Sequence, residues 1–192
     1  MGGATLILAS ASPRRKTLLE QVGVTPSAIL PADIDETPLA GELPRVYAAR
    51  VAREKARKVA VDNNDAFVLA ADTVVACGRR ILPKAEDDQQ ARECLALISG
   101  RSHRVYSGVS LIAPGGALCE RLVETRVKIR RLDSAAIGEY LGCGEWRGKA
   151  GGYAIQGLFA KHVISIIGSH PNVVGLPVYE TMNLLTGAGW RP

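Results

Sequence analysis

Short apolar runs and longer stretches with apolar residues every three or four positions take turns along this chain, the pattern of strands feeding helices. Thr5 to Ala9 predicts a strand. Ser12 then stands where a helix cap belongs, with Pro13 at the first helical position, and Leu18, Leu19 and Val22 carry the helix until Gly23 stops it. Ser27 to Pro31 predicts a second short strand, and residues 32–42 an acidic loop holding Asp33, Asp35 and Glu36. Pro44 opens a long basic helix through Val61. Phe67 to Cys77 has the composition of a strand buried on both faces, followed by a turn at Gly78 and a helix from about Asp87 to Ile98.

In the second half, Val105 to Ala113 and Ala117 to Arg130 flank Pro114-Gly115-Gly116, which predicts a hairpin. Asp133 caps a helix running to about Cys143. The stretch Gly142 to Gly157 is rich in glycine yet carries Trp146, Tyr153 and Ile155, side chains that need burial, so it is not a plain linker. A strand His162 to Ile167, a loop Gly168 to Asn172 and a last helix opened by Pro177 complete the chain. The expected fold is mixed α/β: a mixed sheet with flanking helices, in one domain spanning residues 1–192.

Composition adds bounds. The chain has 192 residues, 47% of them apolar and 22% charged, an ordinary globular balance that needs neither disulfides nor a structural metal. Its longest near-apolar run, Phe67 to Cys77, is far short of the roughly 20 residues a membrane helix needs. Met1 to Leu6 has no basic opening segment, and Leu6 occupies the place where a myristoylation motif has Ser or Thr. The four cysteines are scattered without a C-x-x-C pair, and the three histidines lie at no metal-ligand spacing. A soluble cytoplasmic protein with no membrane attachment is expected. Lys and Arg outnumber Asp and Glu by 24 to 19, a net +5 that suits an anionic ligand.

Local rules are broken in two places. Arg14, Arg15 and Lys16 fill a helix first turn, where the macrodipole mildly disfavours cations; a bound phosphate at the exposed backbone donors would reverse that sign, and long side chains reaching water would merely relieve it. Asp72 sits in the middle of the apolar strand. Either a cation or metal compensates it there, or the strand delivers it to a cleft. The acidic loop offers the hard oxygens Mg²⁺ takes beside phosphates, although acidic loops are usually solvated. Glu54 and Lys58 at i,i+4 describe a solvated helix face around Lys55. Arg126, Lys128 and Arg130 alternate with Val127 and Ile129 as one basic strand face without the aromatics of a nucleic-acid binder. Gln156, with both a donor and an acceptor, suits a nucleobase edge.

Walker and G-x-G-x-x-G loops are absent. Ser10-Ala11-Ser12-Pro13-Arg14-Arg15, Asp35-Glu36-Thr37-Pro38, Arg53-Glu54-Lys55-Ala56, Ala71-Asp72-Thr73-Val74-Val75, the run from Lys149 to Gly157, and Gly168-Ser169 through Pro177 instead resemble, in order, the Maf (septum formation inhibitor) family of nucleoside triphosphate pyrophosphatases. The resemblance implies two lobes around a central cleft, as in inosine triphosphate pyrophosphatases, and metal-dependent hydrolysis of a nucleoside triphosphate to monophosphate and pyrophosphate. Asp72 matches the family's proton acceptor. Arg14, Thr73 and Gln156 match positions of substrate choice, and Lys149-Ala150-Gly151 with Ile155-Gln156-Gly157 looks like the branch acting on dTTP and UTP. Ser12, Arg15, Lys55 and Lys84 complete the implied substrate contacts. Glu36 and Asp72 are the implied ligands of Mg²⁺, Mn²⁺ or Co²⁺. Pro83 and Ala85 depart from the family, which usually has Gly before and Pro after the lysine. The expected partner is a nucleoside triphosphate rather than nucleic acid, and a homodimer is allowed. The alternatives are a different base preference, including modified pyrimidine triphosphates, and a non-catalytic nucleic-acid-binding regulator of cell division.

Overall fold

The computed structural model describes residues 4–191; Met1 to Gly3, which open the segment read above for targeting signals, lie outside them. The order of elements is β1 (Leu6–Leu8), α1 (Pro13–Glu20), β2 (Ala28–Ile29), α2 (Pro44–Ala60), β3 (Phe67–Cys77), β4 (Arg80–Leu82), α3 (Asp88–Ile98), β5 (Ser102–Ile112), β6 (Leu118–Ile129), α4 (Ser134–Gly142), β7 (Val163–Ile167), α5 (His170–Val174) and α6 (Val178–Gly187). The strands form one mixed sheet in the order β2-β1-β3-β5-β6-β7, with β4 paired to β3. β1 runs parallel to β2 and β3, whereas β3–β4 and β6–β7 are antiparallel. No described helix is long and apolar enough to cross a membrane.

The chain divides into two compact units. The first comprises residues 1–72, 107–123 and 175–192, the second residues 73–106 and 124–174. In the first unit α2 presents Tyr47, Val51, Lys55 and Val59 on one buried stripe at i, i+4 spacing. Val59 of that stripe and the neighbouring Ala56 join Ile7, Val68, Ala70 and Ile112 in the core. Gly108 of β5 lets the helix come this close: a Cβ there would stand 2.7 Å from the carbonyl carbon of Ala48 and 2.8 Å from Ala49 Cα. Trp190, buried, donates its Nε1–H to the Ala4 carbonyl at 2.9 Å.

In the second unit Leu95, Ile98, Val127 and Ile129 pack with Trp146, Tyr153, Ile155 and Phe159. The three large residues of the glycine-rich stretch are therefore core, as their chemistry demands. Trp146 is fully buried and its Nε1–H reaches the Leu141 carbonyl. Tyr153 shares a 2.7 Å hydrogen bond with Nε2 of buried His103, whose Nδ1 is buried without a partner. Burial lowers the His103 pKa to about 4. Arg126, Lys128 and Arg130 are exposed while Val127 and Ile129 are buried, the wet basic face expected of β6.

Several local expectations are corrected. Ser12 caps nothing with its side chain; its N–H donates instead to Ser10 Oγ at 3.2 Å. Asp133 does cap α4, accepting from the Ala136 N–H. The loop expected over Gly168 to Asn172 contains the start of α5, since Ser169 Oγ accepts from the Asn172 N–H and turns the chain into a helix. A 3-10 turn, Leu158–His162, precedes β7. Glu54 pairs with Arg50, four residues earlier, at 3.0 Å.

Replacing Gly108 by Ala is expected to destabilise the protein by about 2 kcal/mol through overpacking against the α2 backbone, seen as a lower urea midpoint at unchanged m-value. His103 makes a second expectation. Its folded pKa lies below the ordinary 6.5, so its contribution is fully present above pH 6.5 and is lost as pH falls toward about 4. The difference in unfolding free energy between wild type and His103→Gln should shrink by about 3 kcal/mol across that window.

Candidate active site

The misfit in β3 has its compensation in α2. Asp72 is 4% exposed, and an unpaired carboxylate so placed would cost several kcal/mol. Lys55, on the buried stripe of α2, sets its Nζ 2.8 Å from Asp72 Oδ1. The same Nζ lies 2.8 Å from Oε1 of Glu36. One ammonium thus draws together two carboxylates from a strand and a loop, elements 36 residues apart in sequence. Lys55 thus supplies the compensating cation that the sequence reading of Asp72 allowed for.

A second buried cation stands in the same electrostatic neighbourhood. Arg15 donates from Nη1 to Ser10 Oγ at 2.8 Å and from Nε to the Gly175 carbonyl at 2.9 Å. Gly175 has φ 143°, a backbone conformation that glycine adopts readily and other residues rarely do. Burial lowers the Arg15 pKa from its ordinary value, with Asp72 and Glu36 acting to raise it and Arg14 to lower it. Arg14 is half-buried and its pKa is lowered by desolvation. By formal charge Lys55 and Arg15 balance Asp72 and Glu36. Arg14 is close enough to act on Arg15 electrostatically, lowering its pKa.

The tripartite basic cluster read from sequence is not realised as such. Arg14 and Arg15 turn inward, but Lys16 is exposed and meets Glu20 at 3.4 Å along the helix surface. Four predicted residues, Arg15, Glu36, Lys55 and Asp72, are brought together in the first unit. Ser12 is half-buried beside Ser10. Thr73 follows Asp72 on β3 and is half-buried. Lys84 and Gln156 are exposed residues of the second unit. Despite Pro83 and Ala85, the Lys84 segment has a defined path: Lys84 bridges Ala150, and Ala85 N–H and Pro83 C=O bond to Lys149 O and Gly151 N–H.

Ser10, Gly175 and Tyr47 were not singled out by sequence. Tyr47 Oη donates to the Glu36 carbonyl at 2.8 Å, and burial together with the charges of Asp72 and Glu36 raises its pKa. Its position, eight residues before Lys55 and so on the same helix face, is the signal that identifies it. Among the described residues no group of three or more His, Cys, Asp or Glu side chains could hold a metal unaided. Two carboxylates converging on one cation do fit a Mg²⁺-type ion whose remaining ligands are waters and phosphate oxygens.

A family model described as "Maf-like protein" matches residues 5–188. The dTTP/UTP pyrophosphatase of Caulobacter vibrioides is 60% identical over 99% of this chain and 98% of its own. That of Mesorhizobium japonicum is 58% identical over 97% and 92%. That of Rhodospirillum rubrum is 60% identical over 97% and 89%. Among solved structures, the Staphylococcus aureus Ham1 protein matches at TM-score 0.47 and 15% identity over 65% of this chain and 71% of that one. On the near-complete family match and these full-length identities, the chain belongs to the Maf-like protein family.

Proposed function

We propose that this protein is a nucleoside triphosphate pyrophosphatase that hydrolyses dTTP and UTP to the monophosphate and pyrophosphate. The observation that carries the reading is the Lys55 bridge between Asp72 and Glu36 beside buried Arg15. The names of relatives 58–60% identical over nearly the whole chain support the substrate class.

The cleavage needs a water aimed at the α-phosphorus and charge to balance the departing pyrophosphate. Asp72 orients that water and accepts its proton at a carboxylate oxygen. Lys55, fixed by two 2.8 Å contacts, keeps the Asp72 carboxylate from rotating away. Arg14 and Arg15 offset phosphate charge, each worth about 4 kcal/mol at ~4 Å near a protein surface. Lys84 adds an ammonium for the triphosphate, and Ser12 a hydroxyl. Thr73 and Gln156 set base choice, the Gln156 amide matching a pyrimidine edge with one donor and one acceptor. A divalent ion such as Mg²⁺, held by Glu36 and Asp72, supplies Lewis-acid polarisation of the phosphate oxygens when bound.

The decisive experiment incubates the protein with dTTP, UTP, CTP and 7-methyl-GTP in oxygen-18-labelled water with Mg²⁺. Pyrophosphate and label in the nucleoside monophosphate are expected from dTTP and UTP; orthophosphate, or label in the pyrophosphate, overturns the cleavage position. Asp72→Asn is expected to lower kcat by about 10²–10⁴-fold with the circular dichroism spectrum retained. Lys55→Met leaves two carboxylates without their shared cation and should cost about 3 kcal/mol in urea unfolding, because breaking a buried pair strands its partner.

A further inference from the structure

Glu36 lies in a loop without regular secondary structure, residues 30–39, yet its side chain must meet Lys55 to within a hydrogen bond. Such a segment has no helix or sheet bonds of its own, so its backbone groups need other partners. Two side chains of α2 do this. Tyr47 Oη donates to the Glu36 carbonyl at 2.8 Å, and Arg50 Nη2 donates to the next carbonyl, that of Thr37, at 3.2 Å. Arg50 also grips the far end of the loop with a fork: Nε to Glu42 Oε1 at 2.7 Å and Nη2 to Glu42 Oε2 at 2.8 Å. Glu42 Oε2 in turn accepts from the Leu39 N–H at 3.0 Å. The Arg50 guanidinium lies 5.5 Å from the centre of the Tyr47 ring, so the two clasps support each other. One helix therefore holds Glu36 twice, by its main chain through Tyr47 and by its carboxylate through Lys55.

We propose that Tyr47 and Arg50 are positioning residues for the reaction, clasping the 36–42 loop so that the Glu36 carboxylate is presented beside Asp72. This rests on the proposed role of Glu36 in holding a divalent ion. Each acts through the loop, by the contacts to Glu36, Thr37 and Glu42. Arg53, on the same helix, makes a comparable fork to Glu120 that does not involve the loop, and it supplies the control.

Two measurements on the full chain test this. The first is amide hydrogen exchange over residues 33–42. The second is Mn²⁺ binding to the free protein, followed by the loss of the free-ion EPR signal. Tyr47→Phe, which removes one hydroxyl, should speed exchange in the loop about fivefold and weaken Mn²⁺ binding about fivefold, the loss of one hydrogen bond, and Arg50→Lys, which removes the fork, should do so by at least as much. Exchange in α2 should stay as in wild type, and Arg53→Lys should move neither readout. Unchanged loop exchange in Tyr47→Phe overturns the clasp. Faster exchange with unchanged Mn²⁺ affinity overturns its service to the carboxylate. If wild type and Glu36→Gln bind Mn²⁺ alike, the assignment of Glu36 itself fails, and the proposal with it.

Discussion

A lysine ammonium caught between two carboxylates is the constraint around which the first unit is arranged. Asp72 is tolerable in β3 only because Lys55 reaches it, and Glu36 can approach another acid only because the same Nζ stands between them. Each member depends on the others. Removing the lysine strands two charges, whereas removing either acid leaves the lysine a partner, so the three positions are unequal in what they risk.

That arrangement makes α2 more than a core helix. It brings Lys55 to Asp72, fastens the acidic loop through Tyr47, and is seated against β5 where Gly108 has no side chain. Distances of 2.8 Å tolerate little displacement, so the fit at Gly108, which faces Ala48 and Ala49 between the loop contacts made by Tyr47 and Arg50, bears on the geometry at Lys55 through a rigid rod. Arg15 is set in a different way. Its two ends are taken by Ser10 and the Gly175 carbonyl, which fix a long side chain that would otherwise sample many rotamers.

Much of this was legible in the sequence, and the remainder was hidden for physical reasons. Asp72 announced itself, since a charge within an apolar strand contradicts its surroundings. Lys55 did not: Glu54 and Lys58 gave its helix the look of a solvated face, and only tertiary packing turned position 55 inward. The arginine pair was anticipated but Lys16 was counted with it, because a helical first turn distributes neighbours around the axis and a list of cations does not say which point the same way. The core of the glycine-rich stretch was foreseen from Trp146, Tyr153 and Ile155, whose size demands burial. β4 and the turn at Leu158–His162 were missed, being too short to carry a period. Thr73 was singled out by family resemblance alone, whereas Gln156 also suggested itself by carrying both a donor and an acceptor.

The chain has two tryptophans. Trp190, bonded to the Ala4 carbonyl, belongs to the first unit, and Trp146, bonded to the Leu141 carbonyl beneath the Arg147 guanidinium, to the second. Nature has thereby put one tryptophan fluorophore, selectively excited near the red edge of aromatic absorption, in each half of the protein. Replacing either by phenylalanine leaves an emitter that reports on a single half, so whether the halves melt together or in succession becomes a spectroscopic question that needs no attached dye.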